Sequence, residues 1–240
     1  MVSIITCTMR DDCIDNVFNN YQKQIYKDKE LIIVLNKDSM DVEKWRKRAS
    51  LTKGVLIVQC PQTTSLGECL NYGIECSKYK TIAKFDDDDF YGRYYLEEAL
   101  NKLEKTNAMV IGKSSFFIYF QQELKLFLYN KNREQQYVHY GKKFKSRDFL
   151  AGSTLVMDKR IFDFIKFRNL NVGEDSSFQL DCFYNNIPMY SSSKYNYTYM
   201  RYPSTHHHNS DAKDYVLKKR SHLVSQGKDL EKLVSQIESI

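Results

Sequence analysis

Glycine and proline are scarce in this chain, with 9 and 3 among 240 residues. That excludes a collagen-like repeat and a Pro/Gly-rich disordered polymer. No apolar run approaches the ~20 residues of a helical membrane span. The opening Met1-Val2-Ser3-Ile4-Ile5 lacks the basic start and long apolar stretch of a secretory signal. The expectation is a cytoplasmic protein without a transmembrane span, with peripheral membrane association left open. Cys7, Cys13, Cys60, Cys69, Cys76 and Cys182 form no C-x-x-C pair, which speaks against a zinc knuckle or a thioredoxin-type motif. They are expected to be free thiols, several of them small buried residues. No internal repeat is visible, and only short aspartate and histidine runs are low in complexity.

What is present is ordinary globular material, 42% hydrophobic and 28% charged, rich in tyrosine (18) and phenylalanine (14). The net charge of +6 suits anionic ligands, and it equally serves plain solubility. No nucleic-acid motif accompanies it, so no nucleic-acid partner is expected.

Short apolar runs at Val2–Thr6, Leu31–Leu35, Val55–Val58 and Thr81–Phe85 read as strands buried on both faces of a parallel sheet. Helical segments lie between and after them, at Asp41–Ser50, from Leu66 through Leu70 and Ile74, and at Arg93–Lys105. Ser65 and Glu68 have the spacing of a capping box. Strand alternating with helix implies right-handed crossovers and an α/β fold.

The pattern changes after about residue 108. Ala108–Ile111, Ser115–Phe120, Lys125–Tyr129 and Phe149–Met157 read as further strands. Residues 131–147 carry Lys131, Arg133, Lys142, Lys143, Lys145 and Arg147 and read as one long loop. From Asp211 the composition is helical. Val216, Leu223, Leu230 and Ile237 fall seven apart, which predicts a terminal helix packed on the domain or pairing with a second copy.

The most informative segment is Asp86-Asp87-Asp88-Asp89, directly after an apolar strand. Adjacent carboxylates repel unless a cation neutralises them. Hard divalent ions take such oxygens and leave positions for phosphates. If the extended conformation persists, Asp86 and Asp88 share one side, and Asp87 and Asp89 the other. A solvated turn capping the next helix is the plain alternative. A calcium loop counted from Asp87 fails at Tyr91, where its fifth place needs an oxygen ligand.

Two further clusters stand out. Gly173-Glu174-Asp175 opens a helical pattern, where first-turn acids also serve the helix dipole. His206-His207-His208 follows Arg201-Tyr202 and the alternating Tyr195, Tyr197 and Tyr199. A neutral imidazole there could complete a metal site, or the loop binds nothing. The tyrosines could stack on sugar faces, or simply form a half-buried strand.

Together these pieces resemble a family-2 type glycosyltransferase of the GT-A fold over residues 1 to 185. Val2–Thr6 and Glu30–Val34 resemble its first two strands. Ser65–Ile74 is similar to its L-G-x-x-x-N-x-G helix, and Asp86–Asp89 to its D-x-D-D block. The resemblance implies a GT-A domain over 1–210, with a nucleotide-binding half at 1–107, an acceptor-side half at 108–210 with a smaller antiparallel region, and a C-terminal helix at 211–240. It implies a nucleotide-diphospho-sugar donor, UDP-type favoured, and Mg2+ or Mn2+. Thr6, Thr8, Arg10, Asn36, Asp38, Leu66, Asn71, Asp86, Asp87 and Arg201 are then donor-site residues. Asp88 and His208 are metal ligands. Asn36-Lys37-Asp38-Ser39 departs from the family's D-D-G-S turn, so the base is left undefined.

Gly173-Glu174-Asp175 resembles the family's E-D motif, which makes Asp175 the base for an acceptor hydroxyl, with transfer inverting the anomeric centre. Glu174, Gly152 and Ser153 are expected on the acceptor side, the small residues giving close approach. The implied acceptor is a glycan or other hydroxyl compound of the envelope, capsule or spore kind. A Mg-dependent nucleotidyltransferase and a non-catalytic nucleotide- or glycan-binding module are the competing classes.

Overall fold

The computed structural model describes residues 1–138, 148–203, 213–227 and 229–236. Strand and helix alternate through the first half: β1 (Val2–Thr8), α1 (Ile14–Lys23), β2 (Lys29–Leu35), α2 (Val42–Ser50), β3 (Val55–Gln59), α3 (Leu66–Glu75) and β4 (Thr81–Lys84). A two-residue β5 (Phe90–Tyr91) and α4 (Tyr95–Lys105) follow. Strands then dominate, with β6 (Val110–Gly112), β7 (Phe116–Phe120), β8 (Lys125–Tyr129), β9 (Gln136–Val138) and β10 (Val156–Asp158). The chain continues through α5 (Glu174–Tyr184), β11 (Met189–Ser191), β12 (Tyr197–Arg201), α6 (Asp214–Lys219), β13 (Ser221–Gln226) and α7 (Leu230–Val234).

The large sheet has the order β3-β2-β1-β4-β10-β6-β11-β9. Its first four strands are parallel, and β10 runs antiparallel between β4 and β6. Strand alternation sends Ile4, Leu31 and Ile33 to one face, against Phe18 of α1, Trp45 of α2 and Leu96 of α4. Ile5, Ile32 and Val34 go to the other, against Leu70 and Ile74 of α3 and Phe178 of α5. Burial on both faces is why β1 and β2 read as unbroken apolar runs. β3 departs from that expectation: it is the sheet's edge, and Leu56 is 43% exposed.

Local chemistry sets the helix starts. The Asp41 side chain accepts from Lys44 N at α2, and Ser65 with Glu68 forms the full capping box at α3. α3 in turn holds the segment leading to α5. A Cβ on Gly67 would lie 1.9 Å from Arg168 O, so only glycine permits the approach. Asn71 bridges to the Phe167 backbone at both ends, donating to its O (2.8 Å) and accepting from its N (3.1 Å).

A second sheet, in the order β13-β8-β7-β12-β5, carries the C-terminal strand. Here the seven-residue spacing misleads. Leu223 lies in β13, which pairs antiparallel with β8, so residues 211–240 are not one helix. The open edge of β8 takes up these residues as a strand, and tertiary pairing overrides local helical composition. The continuous stripe that a helical dimer contact needs is thereby broken.

Within the expected loop 131–147, Gln136–Val138 pairs with β11 as a short strand. Residues 139–147, including Lys142, Lys143, Lys145 and Arg147, lie outside the described residues. The expected strand at Phe149–Met157 is mostly a turn: Gly152–Thr154 forms a 3-10 helix before β10 begins.

Candidate active site

β1 and β4 are parallel neighbours, so their carboxyl ends open on one crevice. In open α/β sheets ligands bind beyond such ends. Thr8 and Arg10 arrive from β1, and the aspartate run from β4.

The extended alternation of the run stops after Phe85. The chain bends at Asp87–Asp89, and each carboxylate finds its own partner. Asp87 accepts from Thr8 Oγ1 and takes the Arg10 guanidinium in a fork, through Nη2 to Oδ1 and through Nε to Oδ2 (3.1 Å). Asp88 Oδ2 lies 3.1 Å from Arg10 Nη1. Asp86 accepts from Lys84 Nζ. Asp89, 1% exposed, accepts from Tyr197 Oη (2.6 Å) and Met200 N (3.0 Å). The expected Asp86/Asp88 face is therefore replaced by an Asp87–Asp88 pair sharing Arg10, because the bend cancels the strand's period of two.

Donors pin the run's backbone as well. Asn16 Nδ2 donates to Asp87 O (2.8 Å) and Asp89 O (2.9 Å), and Asn20 Nδ2 to Asp89 O (2.8 Å). The two asparagines are four apart on one face of α1. Tyr202 Oη donates to Asp88 O (2.9 Å), and Asp86 N donates to Tyr91 Oη (2.8 Å).

The far side of the site is built around Gly152. A Cβ there would sit 1.8 Å from Asp175 Oδ2, so this carboxylate occupies space that only glycine leaves. Ser176 N fixes its other oxygen, Oδ1, at 2.6 Å. Lys84 connects the two motifs. Burial opposes its charge, but Asp86, Glu174 and Asp175 outweigh that penalty and raise its pKa.

Burial pushes Glu174 up to about 7, with Asp175 adding to the rise and Lys84 opposing it. Burial also pushes Asp88 up to about 7, with Asp87 reinforcing and Arg10 opposing. Asp89 is raised well above the usual carboxylate range, first by burial and then by Asp88. In each case burial is the first cause, so ionising these neighbouring carboxylates is costly.

The other expected site residues are distributed as follows. Thr6 is buried in β1. Asn36, after β2, is buried and donates to Pro61 O (2.9 Å) and Thr64 O (3.2 Å). Asp38 is exposed and accepts from Gln62 N (3.1 Å), while Leu66 N donates to Asn171 Oδ1 (2.9 Å). Asn36 and Asp38 follow β2 and Leu66 follows β3, on the same end of the parallel strands as the aspartates that follow β4. Against Gly152 the structure brings Asp175. The Ser153 hydroxyl is committed to Tyr197 Oη (2.6 Å). Arg201 donates to Asp214 of α6 (2.9 and 2.6 Å) and to Tyr199 Oη (3.0 Å). His206, His207 and His208 lie outside the described residues.

Among the described residues no three His, Cys, Asp or Glu side chains are arranged to hold a metal ion. The partners just described explain this, since the aspartates point to different neighbours. The donor set still fits Mg2+ or Mn2+. Mg2+ in particular is held by one or two carboxylates plus substrate phosphates rather than by an all-protein cage. Asp88 is buried, with its side chain 11% exposed and its Oδ2 on Arg10 Nη1.

Sequence reasoning missed Lys84, Asn16, Asn20 and the hydrogen-bonding role of Tyr202. A lysine inside the apolar run Thr81–Phe85 was the available signal, since a buried cation needs a partner. The asparagines at a helical spacing of four were another.

The sequence model of glycosyl transferase family 2 matches residues 3–165, more than half of the chain. The chain belongs to glycosyl transferase family 2. The family match contains the aspartate run and Gly152 and ends before Asp175. A comparison with curated proteins gives no match. Among solved structures, S. aureus TarS 1–349 in complex with UDP-GlcNAc is 15% identical with a TM-score of 0.63, covering 88% of this chain and 61% of that one. The mannosyltransferase PcManGT from Pyrobaculum calidifontis, in complex with GDP-Man and Mn2+, is 12% identical with a TM-score of 0.60, covering 85% and 57%. At such identities the likeness carries the fold, which is GT-A. The family 2 chain spans about three fifths of the length of these structures. No helix among its described residues is long and apolar enough to cross a membrane.

Proposed function

We propose that this family 2 chain is a metal-dependent glycosyltransferase that moves a sugar from a nucleotide-diphospho-sugar to a hydroxyl acceptor with inversion. The observation that carries the proposal is the meeting of Asp175 with the end of β4, through Gly152 and the buried Lys84. A base for the acceptor and an acidic phosphate side then share one crevice. TarS was solved with UDP-GlcNAc and PcManGT with GDP-Man and Mn2+. By that likeness the crevice takes a nucleotide sugar, UDP-type favoured, with Mg2+ or Mn2+. The acceptor is a glycan or related hydroxyl compound.

Each residue then has a task. Thr8, Arg10, Asn36 and Asp38 border the donor side, and Asp86 and Asp87 face the ribose and the diphosphate. Asp88 holds the ion, which when bound neutralises the departing diphosphate as a Lewis acid. Asp175 takes the proton of the acceptor hydroxyl, and Gly152 gives its carboxylate room. Lys84 keeps the acids Asp86, Glu174 and Asp175 together without the repulsion that would separate them.

The test is turnover of UDP-GlcNAc and of GDP-Man with Mn2+, read as nucleoside diphosphate released. Asp175→Asn is expected to lose about 10²–10⁴ in rate, the worth of a positioned base, while donor with Mn2+ still raises its melting temperature. Asp88→Asn is expected to lose the Mn2+-dependent part of that rise. Wild-type turnover by Asp175→Asn, or pyrophosphate as the product, overturns the assignment.

A further inference from the structure

Arg10 stands where a divalent ion would be drawn. Its guanidinium is held in a fork by Asp87, and its third nitrogen, Nη1, reaches Asp88 Oδ2 at 3.1 Å. The side chains are 24% and 11% exposed, so the contact is sheltered from bulk water. Sheltered ion pairs are screened far less than surface ones. The loop presenting the arginine is itself fixed, because Arg10 N donates to Thr8 Oγ1 (3.1 Å) and that hydroxyl donates to Asp87. The contact is therefore built, and it falls on the carboxylate assigned to the ion.

We propose that Arg10 is a resident counter-cation that caps Asp88 in the donor-free protein and gives it up when a nucleoside diphosphate arrives, so that ion and nucleotide bind cooperatively. The proposal rests on Asp88 facing the ion, as above, and adds how its access is controlled. The fork makes the exchange local. Nε and Nη2 keep Asp87 and so hold the rigid guanidinium in place, while the Asp88 carboxylate leaves Nη1 and a phosphate oxygen takes its position, a partner that suits the planar fork. Asp88 is then open to the ion, and the diphosphate supplies further ligand oxygens. Each ligand removes a cost that the other would otherwise bear, which is a coupling between two sites.

The experiment is a Mn2+ titration of the full chain, followed by the paramagnetic resonance of free Mn2+, with no nucleotide and then with UDP. Wild type alone is expected to bind Mn2+ weakly, and UDP to tighten it. Arg10→Gln alone is expected to bind Mn2+ about tenfold tighter or more, since one sheltered competitor is removed. UDP should then add less to the variant than to wild type. Arg10→Lys separates a direct cap from a general field. It keeps the charge but cannot span both aspartates, so it too should bind Mn2+ more tightly than wild type.

Equal nucleotide-free affinity in wild type and Arg10→Gln overturns the proposal, and so does Arg10→Lys behaving as wild type. If Arg10→Gln does not fold, as judged by its melting curve, Arg10→Lys against wild type decides alone. Asp88→Asn distinguishes the two levels. Undiminished Mn2+ binding in that variant sinks the metal assignment itself. Loss of binding in Asp88→Asn with no effect of either Arg10 variant sinks only the cap.

Discussion

Arg10 and Lys84 flank the same aspartate run, yet they are built for different work. Arg10 comes from the loop after β1, remains 24% exposed, and holds two carboxylates adjacent in sequence. Lys84 is the last residue of β4 with its side chain 6% exposed, and the acids around it are the nearby Asp86 and, from far along the chain, the start of α5. A cation at the mouth can exchange a protein carboxylate for an incoming phosphate. A cation buried among acids from two parts of the chain serves instead to lock those parts together. Under the proposed function, the donor side is then adjustable and the acceptor side rigid. This is what a site needs if its phosphate partner comes and goes while its base must stay within reach of the proton.

The sharpest way to break this contrast is to remove the inner cation. Lys84→Met keeps the apolar stem but leaves Asp86, Glu174 and Asp175 without their shared counter-charge. Breaking a buried ion pair costs about 3–5 kcal/mol. Asp86 is itself 40% exposed, so the lower end, about 3 kcal/mol, is expected in urea unfolding. A loss within the range of a surface pair, about 1 kcal/mol or less, would show that Lys84 locks nothing.

Gly152→Ala tests the rigid side without touching charge. The added methyl would lie 1.8 Å from Asp175 Oδ2, so the carboxylate must move. A displacement of about 1 Å from productive geometry can cost about 10²-fold in rate. The expected signature is a fall in kcat with the donor KM unchanged, since the donor side keeps Arg10, Asp87 and Asp88. A rise in donor KM with kcat unchanged would mean that the two sides are not separate.

Much of the adjustable side was legible in the sequence. The runs around β1, β2 and β4, the Ser65–Glu68 capping box and the aspartate run are local signals, each complete within a few residues. The rigid side was legible only in pieces. Gly152 and Asp175 could be picked out singly, but their contact depends on α3 carrying the 167–171 segment through Gly67 and Asn71. Asp89 meets Tyr197 from 108 residues away, and Asn16 meets Asp87 from 71. No periodicity carries such pairings. The C-terminal stretch failed for the same reason: its seven-residue spacing is real, but the open edge of β8 decides its conformation.

The last expected effect concerns Glu174, and its sign depends on whether burial or the Lys84 charge dominates. Burial holds its pKa at about 7, above the ordinary value of 4.5, although Lys84 draws it down. Below pH 4.5 both the folded and the unfolded chain carry the proton, and Glu174 costs nothing. Between those values the unfolded chain releases its proton while the folded chain keeps it. Stability therefore falls as pH rises through that window, and the full penalty stands above about pH 7. Glu174→Gln removes the penalty. Its melting temperature in donor-free protein should match wild type near pH 4.5 and exceed it by a margin that grows up to about pH 7. The free energy behind that margin is at most about 3 kcal/mol. If the variant were instead less stable than wild type at neutral pH, Glu174 would be an ionised partner of Lys84. The Lys84 lock would then draw on the charge of Glu174 as well as on those of Asp86 and Asp175.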